Sequence, residues 1–398
     1  MARSNSAGLP ETGKARKEGR LWELALLFLK LGMTAYGGPA AHVAMMEDEV
    51  VRRRGWLSRD EFLDLLGATN LIPGPNSTEL AIHIGHRRAG WAGSLVAGNC
   101  FILPAAAVVG TLAWAYVRYG SLPQSNAVLY GVKPVIIAVV AQALWGLGRA
   151  ALKTKSLALV GAAGIVLSLL GVNELVILFG AGAATCLARW LVDWKGKARS
   201  FFSFAHSAPL TFFAQAGVVA APASFGLWPL FLFFLKVGSV LFGSGYVLLA
   251  FLRADLVERW HWLTESQLLD AIAVGQITPG PVFTTATFIG YVLGGYRGAV
   301  VATVGIFLPA FVFVAVSGPL VPRIRRSIVA GAFLDGVNSA SLSLMAVVTC
   351  YLGRAALIDP VTIALMVASM ILLMRYRVNS AWLVLGGALA GLFASLLK

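Results

Sequence analysis

The chain has 398 residues, of which 58% are apolar and only 13% charged, and its mean hydropathy is +0.78. Soluble domains carry about 25% charged residues, so composition excludes a separate soluble domain. Apolar runs of about 17–25 residues recur along the length and predict an all-α polytopic membrane protein. The net charge of +14 is read as Lys and Arg in cytoplasmic loops, which implies a lipid bilayer and no nucleic acid as partner.

Residues 1–20 are polar and basic and read as a disordered tail, not a signal peptide, because no short apolar core precedes a small-residue cleavage site. An apolar run from Leu21 to about Met46 follows, broken at Tyr36-Gly37-Gly38-Pro39. After a charged connection, 47–59, the pattern Ser58-Arg59-Asp60-Glu61 is a capping box that starts a helix. That helix runs about 14 residues to Ile72, or about 21 Å, too short for a hydrocarbon core of about 30 Å. It stops at Pro73-Gly74-Pro75, and a second short helix is expected over Asn76–His86. Its free N–H groups and positive dipole end make an anion site. Irregular backbone at membrane depth is tolerated only inside protein or along a polar cavity. Asn70, Asn76, Ser77 and Thr78 supply polar groups around the break.

The same plan returns. "FLKLG" at 28–32 matches "FLKVG" at 234–238, and "GWLSRDEFLDLL" at 55–66 matches "HWLTESQLLDAI" at 261–272. Pro73-Gly74-Pro75 matches Pro279-Gly280-Pro281, all at an offset of 206. From Gly85, which matches Gly290, the offset is 205, and "LGRAAL" recurs identically at 147–152 and 352–357. Duplication around broken helices is a hallmark of secondary transporters. The organisation expected is a tail at 1–20, a first repeat at 21–192, a linker with an extra apolar segment at 193–225, and a second repeat at 226–398. Basic clusters at Arg52-Arg53-Arg54, Arg87-Arg88 and Arg149/Lys153/Lys155 have sparse counterparts in the second copy. That copy instead carries Arg323/Arg325/Arg326 and Arg375/Arg377 where the first has almost no charge. The positive-inside rule therefore predicts an inverted repeat, with the apolar stretch near 208–224 supplying the odd crossing. Arg54 and its counterpart Trp260 then fall on opposite faces.

In the second copy the break is flanked by Gln276, Thr278 and Thr284, and Gly243-Ser244-Gly245 replaces the Gly-Gly-Pro motif around Gly37 and Gly38. Lys30 and Lys236 are matched cations inside apolar runs, read either as part of an anion path or as snorkelling side chains. Asp64 and Asp270 are matched acids near helix starts, read as proton carriers or as dipole partners. Glu79 faces Thr285 in the repeat and is either a one-sided functional acid or a loop charge. Cys100, Cys186 and Cys350 form no disulfide framework. The histidines, His42, His83, His86, His206 and His261, show no metal spacing, and no nucleotide loop or nucleophile elbow is present. Neither a cofactor nor a metal is expected.

Residues 28–105, with Gly-Gly-Pro, Gly-Trp-Leu and Pro-Gly-Pro in that order, resemble the signature region of the chromate transporter family. Residues 234–310 resemble the same domain again, in the long two-domain form. The resemblance implies chromate efflux across the bacterial inner membrane, chromate resistance, and sulfate as a close analogue. From the residues alone the substrate is a small oxyanion. The substrate-binding set is then Lys30, Gly37, Gly38, Asn70, Pro73, Gly74, Pro75, Asn76, Ser77, Thr78, Lys236, Gly243, Gly245, Gln276, Thr278, Pro279, Gly280, Pro281 and Thr284. A sulfate or other oxyanion permease and a membrane-embedded enzyme on lipid-linked substrates are the rival readings, and a homodimer is left open.

Overall fold

A computed structural model describes residues 11–36, 38–120, 122–194, 224–242, 247–317 and 327–396, and the described elements are all helical. The first half holds α1 (Glu11–Thr34), α2 (Gly38–Glu47), α3 (Arg59–Thr69), α4 (Asn76–Tyr119), α5 (Pro123–Ala151), α6 (Lys155–Leu169) and α7 (Glu174–Trp194). The second holds α8 (Leu227–Val240), α9 (Leu248–Phe251), α10 (Glu265–Ile277), α11 (Thr285–Ser317), α12 (Ile328–Ala356), α13 (Pro360–Arg375) and α14 (Ser380–Leu396). Each first-half helix has its counterpart seven places later, at the offsets read from the sequence. Five helices among the described residues are long and apolar enough to cross a bilayer: α4, α5, α7, α11 with the 3-10 turn before it, and α12.

Local chemistry sets the helix ends. Ser58 and Thr264 both form full capping boxes, with Glu61 and Gln267 as the reciprocal partners. One expectation needs correction. α1 starts at Glu11, so residues 11–20 are helical rather than disordered. The charged connection is also largely helical: Asp48–Arg53 forms a π-helix, and its counterpart Leu252–Arg259 does the same. The apolar stretch near 208–224 lies outside the described residues.

α4 is two arms, because Ala89 and Gly90 leave helical geometry, Gly90 with φ +64. The turn folds the first arm back so that Gly85 packs on the Gly93 backbone. α11 repeats this at Gly294 and Gly295, with Gly290 on Gly298. Ion pairs show how the first arm lies. Arg87, at its end, meets Glu61 at the start of α3 at 3.0 Å, and Arg88 meets Glu23 of α1 at 2.7 Å. Thus α3 and the first arm of α4 form a hairpin with Pro73-Gly74-Pro75 at its tip. α1 and α2 form another, with Tyr36 and Gly38 at its tip.

The halves interlock. α5 packs along α12, α13 and α14, while α12 packs along α5, α6 and α7. Small residues permit close approach: Gly131 lies on Gly387, and Gly391 on Ala127. Between the equivalent helices α5 and α12, Gly148 faces Leu342 and Gly353 faces Ile137. This is an antiparallel register between two copies of one helix, so the two-fold relating the halves runs across the helices. The repeat is inverted.

Opposite sidedness has a direct check. In a background lacking Cys100, Cys186 and Cys350, an impermeant thiol reagent should label Arg52→Cys only from the cytoplasmic face and Glu258→Cys only from outside. Labelling of both from one face would refute the inversion.

Candidate functional site

The site is built from hairpin tips. Gly74 has φ +141 and Gly280 φ +87, conformations that side chains rarely adopt. The N–H of Gly74 donates to the Leu241 carbonyl at 2.7 Å, and the N–H of Gly280 donates to the Ala35 carbonyl at 3.0 Å. Leu241 and Ala35 are themselves repeat counterparts, at the ends of α8 and α1. Each Pro-Gly-Pro tip is therefore docked on the first hairpin of the other half, by the same bond made twice.

One imidazole joins the two tips. His42, buried in α2, lies 3.1 Å through Nε2 from the Ala35 carbonyl and 3.3 Å through Nδ1 from the Ser77 hydroxyl. With Nε2 donating to the carbonyl, Nδ1 accepts from Ser77, in the first turn after Pro73-Gly74-Pro75. Leu248 stands at the repeat counterpart of His42, so the link is one-sided.

A cavity of about 320 Å³ opens beside the second break. Gln276, Thr278 and Gly280 line it from that break, and Tyr36 and Gly38 from the first hairpin. Gln142 of α5 and Arg377, Val378 and Asn379 of the α13–α14 turn complete the wall. Four residues of the expected binding set thus share one wall: Gly38, Gln276, Thr278 and Gly280. Asn70 and Asn76 pair with each other at 2.7 Å near the first break. The Thr284 hydroxyl donates to the Pro281 carbonyl at 2.8 Å, while the buried Thr78 hydroxyl has no hydrogen-bond partner. Pro73, Pro75, Pro279 and Pro281 shape the two tips. Gly37, Gly243 and Gly245 lie outside the described residues.

Lys30 and Lys236 do not line this cavity. Lys30 pairs with Glu49 at 2.8 Å, and Arg53 approaches the same carboxylate at 3.5 Å. Lys30 is the chief reason the Glu49 carboxyl is held below its usual range. Lys236 and Arg259 both pair with Asp255, the same triad 206 residues on. Each triad ties the first helix of a half to its π-helix. The matched acids Glu49 and Asp255 were legible at that offset and were not singled out.

The three candidate proton carriers fall in different places. Asp64 is exposed. Asp270 is buried, 3.0 Å from Lys133 of α5, and accepts from the Tyr116 hydroxyl at 2.9 Å. Glu79 is fully buried, its carboxylate lies against Gly74, and neither oxygen has a hydrogen-bond partner. Burial rules out the loop-charge reading of Glu79. Among the described residues no cluster of His, Cys, Asp or Glu has a metal-holding arrangement.

Sequence reasoning missed His42, Gln142 and Arg377. Gln142 is an amide inside an apolar run, a signal that could have found it. Arg377 was read only as a loop charge.

The sequence model described as chromate transporter matches residues 22–186 and again 228–392. The chain is 32% identical over 383 residues to the chromate transport protein of Cupriavidus metallidurans, covering 94% of this chain and 93% of that one. It is 34% identical to the probable chromate transport protein of Synechococcus elongatus, over 85% of this chain and 86% of that one. Identity to the chromate transport protein of Pseudomonas aeruginosa is 31%, over 93% and 91%. No solved structure matches the chain.

Proposed function

Because the chain belongs to the chromate transporter family, whose members are membrane transporters and not enzymes, we propose that it exports chromate from the cytoplasm and so confers chromate resistance. The observation that supports this reading is the pair of broken-helix tips, each docked on the other half of an inverted repeat, with a polar cavity beside the second. Inverted-repeat transporters bind substrate at such discontinuous helices, and helix N-termini suit anionic groups. The tetrahedral dianion is taken up from the cytoplasm beside the second break and released outside after the halves rock against each other.

Direction follows from charge. An inside-negative potential favours outward movement of anions by about 2.3 kcal/mol per charge per 100 mV, or about 4.6 kcal/mol for a dianion. For a coupling proton, Glu79 is the carrier among the three expected acids. An unpaired carboxylate at that depth is costly to keep ionised, and its contact with Gly74 ties its state to the break.

The test uses everted membrane vesicles, in which export appears as uptake. Labelled chromate should accumulate faster under an interior-positive potential and slow when that potential is dissipated. A Glu79→Gln variant should keep the response to potential and lose any response to an imposed pH gradient. Accumulation of sulfate without chromate would transfer the reading to a sulfate permease.

A further inference from the structure

We propose that the oxyanion is held on one side of the pseudo-two-fold only, with Arg377 in the α13–α14 turn as its charged ligand and specificity-determining residue. This deepens the transport reading above and rests on it.

The first observation is depth. α14 runs antiparallel to α5, with Gly387 on Gly131 and Gly391 on Ala127. Extending that register puts Val378 level with Val140, and both Val139 and Gln142 do line the cavity with Arg377. α5 continues to Ala151, about 16 Å beyond that level at 1.5 Å per residue. α13 and α14 have 16 and 17 residues, short of the roughly 20 needed for a span. The turn carrying Arg377 therefore stands at the level of the second helix break, with its own residues mostly exposed.

The second observation is charge. Arg377 is the one charged side chain among the described residues lining this cavity. It makes no ion pair among the described residues. Its backbone sits at φ +53, an uncommon conformation for a residue with a side chain. Arg377 is exposed, so its unpaired guanidinium on the cavity wall is open to an anion, and its planar fork suits the edge of a tetrahedral oxyanion. Gln142, Gln276 and Asn379 supply amide donors on the same walls.

The third observation is asymmetry. At the repeat offset, Arg377 corresponds to Val172, Gln142 to Val347 and Asn379 to Glu174. The related cavity, about 560 Å³, is lined by Arg253 and Arg259. Arg253 is bound to Glu258 and Glu265, and Arg259 to Asp255. That side offers carboxylates and already-paired cations, and among the described residues none of its lining comes from the first Pro-Gly-Pro break. It is a poor place for a dianion.

The test measures chromate uptake into everted vesicles, with sulfate as competitor, for wild type, Arg377→Gln, Arg377→Lys and Val172→Gln. Arg377→Gln should raise the chromate KM at least tenfold at similar protein level. Arg377→Lys should fall between, keeping charge without the fork, and should weaken discrimination between chromate and sulfate. Val172→Gln should leave KM unchanged. Asn379→Asp is the second probe, should Arg377→Gln fail to fold. Asn379 caps α14 through its side-chain oxygen, accepting from Ala381 N–H at 2.9 Å, and aspartate keeps that bond while adding a negative charge to the cavity. It too should raise KM at least tenfold. Wild-type uptake with an Arg377→Gln KM within twofold, or with an unchanged KM in Asn379→Asp, overturns the Arg377 site and leaves the transport reading standing. No chromate uptake by wild type overturns that reading instead. Binding of chromate to purified wild type but not to Arg377→Gln would still uphold the site.

Discussion

Valine in place of Gly280 is expected to abolish chromate transport, and valine in place of Gly74 to do the same. A Cβ at Gly280 would lie 2.6 Å from the Ala105 Cβ and 3.1 Å from the Gly32 carbonyl oxygen. At Gly74 it would run into the Glu79 carboxylate. The positive φ at each position costs a branched residue about 1–3 kcal/mol, and crowding adds about 1–3 kcal/mol. Relief requires the tip to move, which breaks the bond to Ala35 or Leu241, worth about 1 kcal/mol. At about 1.4 kcal/mol per decade, the sum is a loss of at least a hundredfold. Uptake should be measured per folded protein, with monodispersity in detergent as the control. The pseudo-symmetry sharpens the expectation, because either valine breaks one of two identical locks between the halves. Wild-type uptake in a well-folded Gly280→Val protein would show that the tip is not a functional element.

The second large effect falls on stability. Asp255→Asn should cost about 3 kcal/mol or more, because it leaves Lys236 and Arg259 without their shared carboxylate. The figure sits at the low end for a broken buried pair, since the two cations keep about a third of their side chains accessible. Asp255 itself is completely buried. Thermal unfolding in detergent should show a clear drop for Asp255→Asn, whereas Asp255→Glu should hold most of the stability, since Glu49 performs the same role in the first half. Equal stability of Asp255→Asn and wild type would mean that the triad contributes nothing to the hairpin. The same reasoning redirects Lys30 and Lys236. Each cation is already balanced by a carboxylate, so replacement by Gln should act on folding before it acts on substrate affinity.

Much of the architecture was legible because it rests on local rules. Two capping boxes and two Pro-Gly-Pro breaks are properties of neighbouring residues, and the helix ends follow from them. The inverted arrangement was legible too, since Lys and Arg are retained on one side of the membrane and their clusters change places between the copies. The tail was misread because charge and polarity were taken as signs of disorder. α1 begins inside that tail, and a π-helix absorbs the charges of the connection by pairing Glu49 with Lys30 and Arg53.

By itself the sequence determined a duplicated helical membrane protein with broken helices, and the polar residues around each break. Which of those residues meet was decided only by the tertiary structure. The bond from Gly280 to Ala35 joins positions 245 apart, and the cavity brings Tyr36, Gln142, Gln276 and Arg377 together from four separate helical regions. Local patterns carry no information about which turn is drawn to the level of the breaks. That depth is set by Gly131, Gly387 and Gly391, whose missing side chains let α5 and α14 slide together. In sequence Arg377 is one more basic residue beside an apolar run. It becomes a candidate substrate ligand because helix packing sets its exposed side chain on the wall of a cavity beside the second break and leaves it no carboxylate among the described residues.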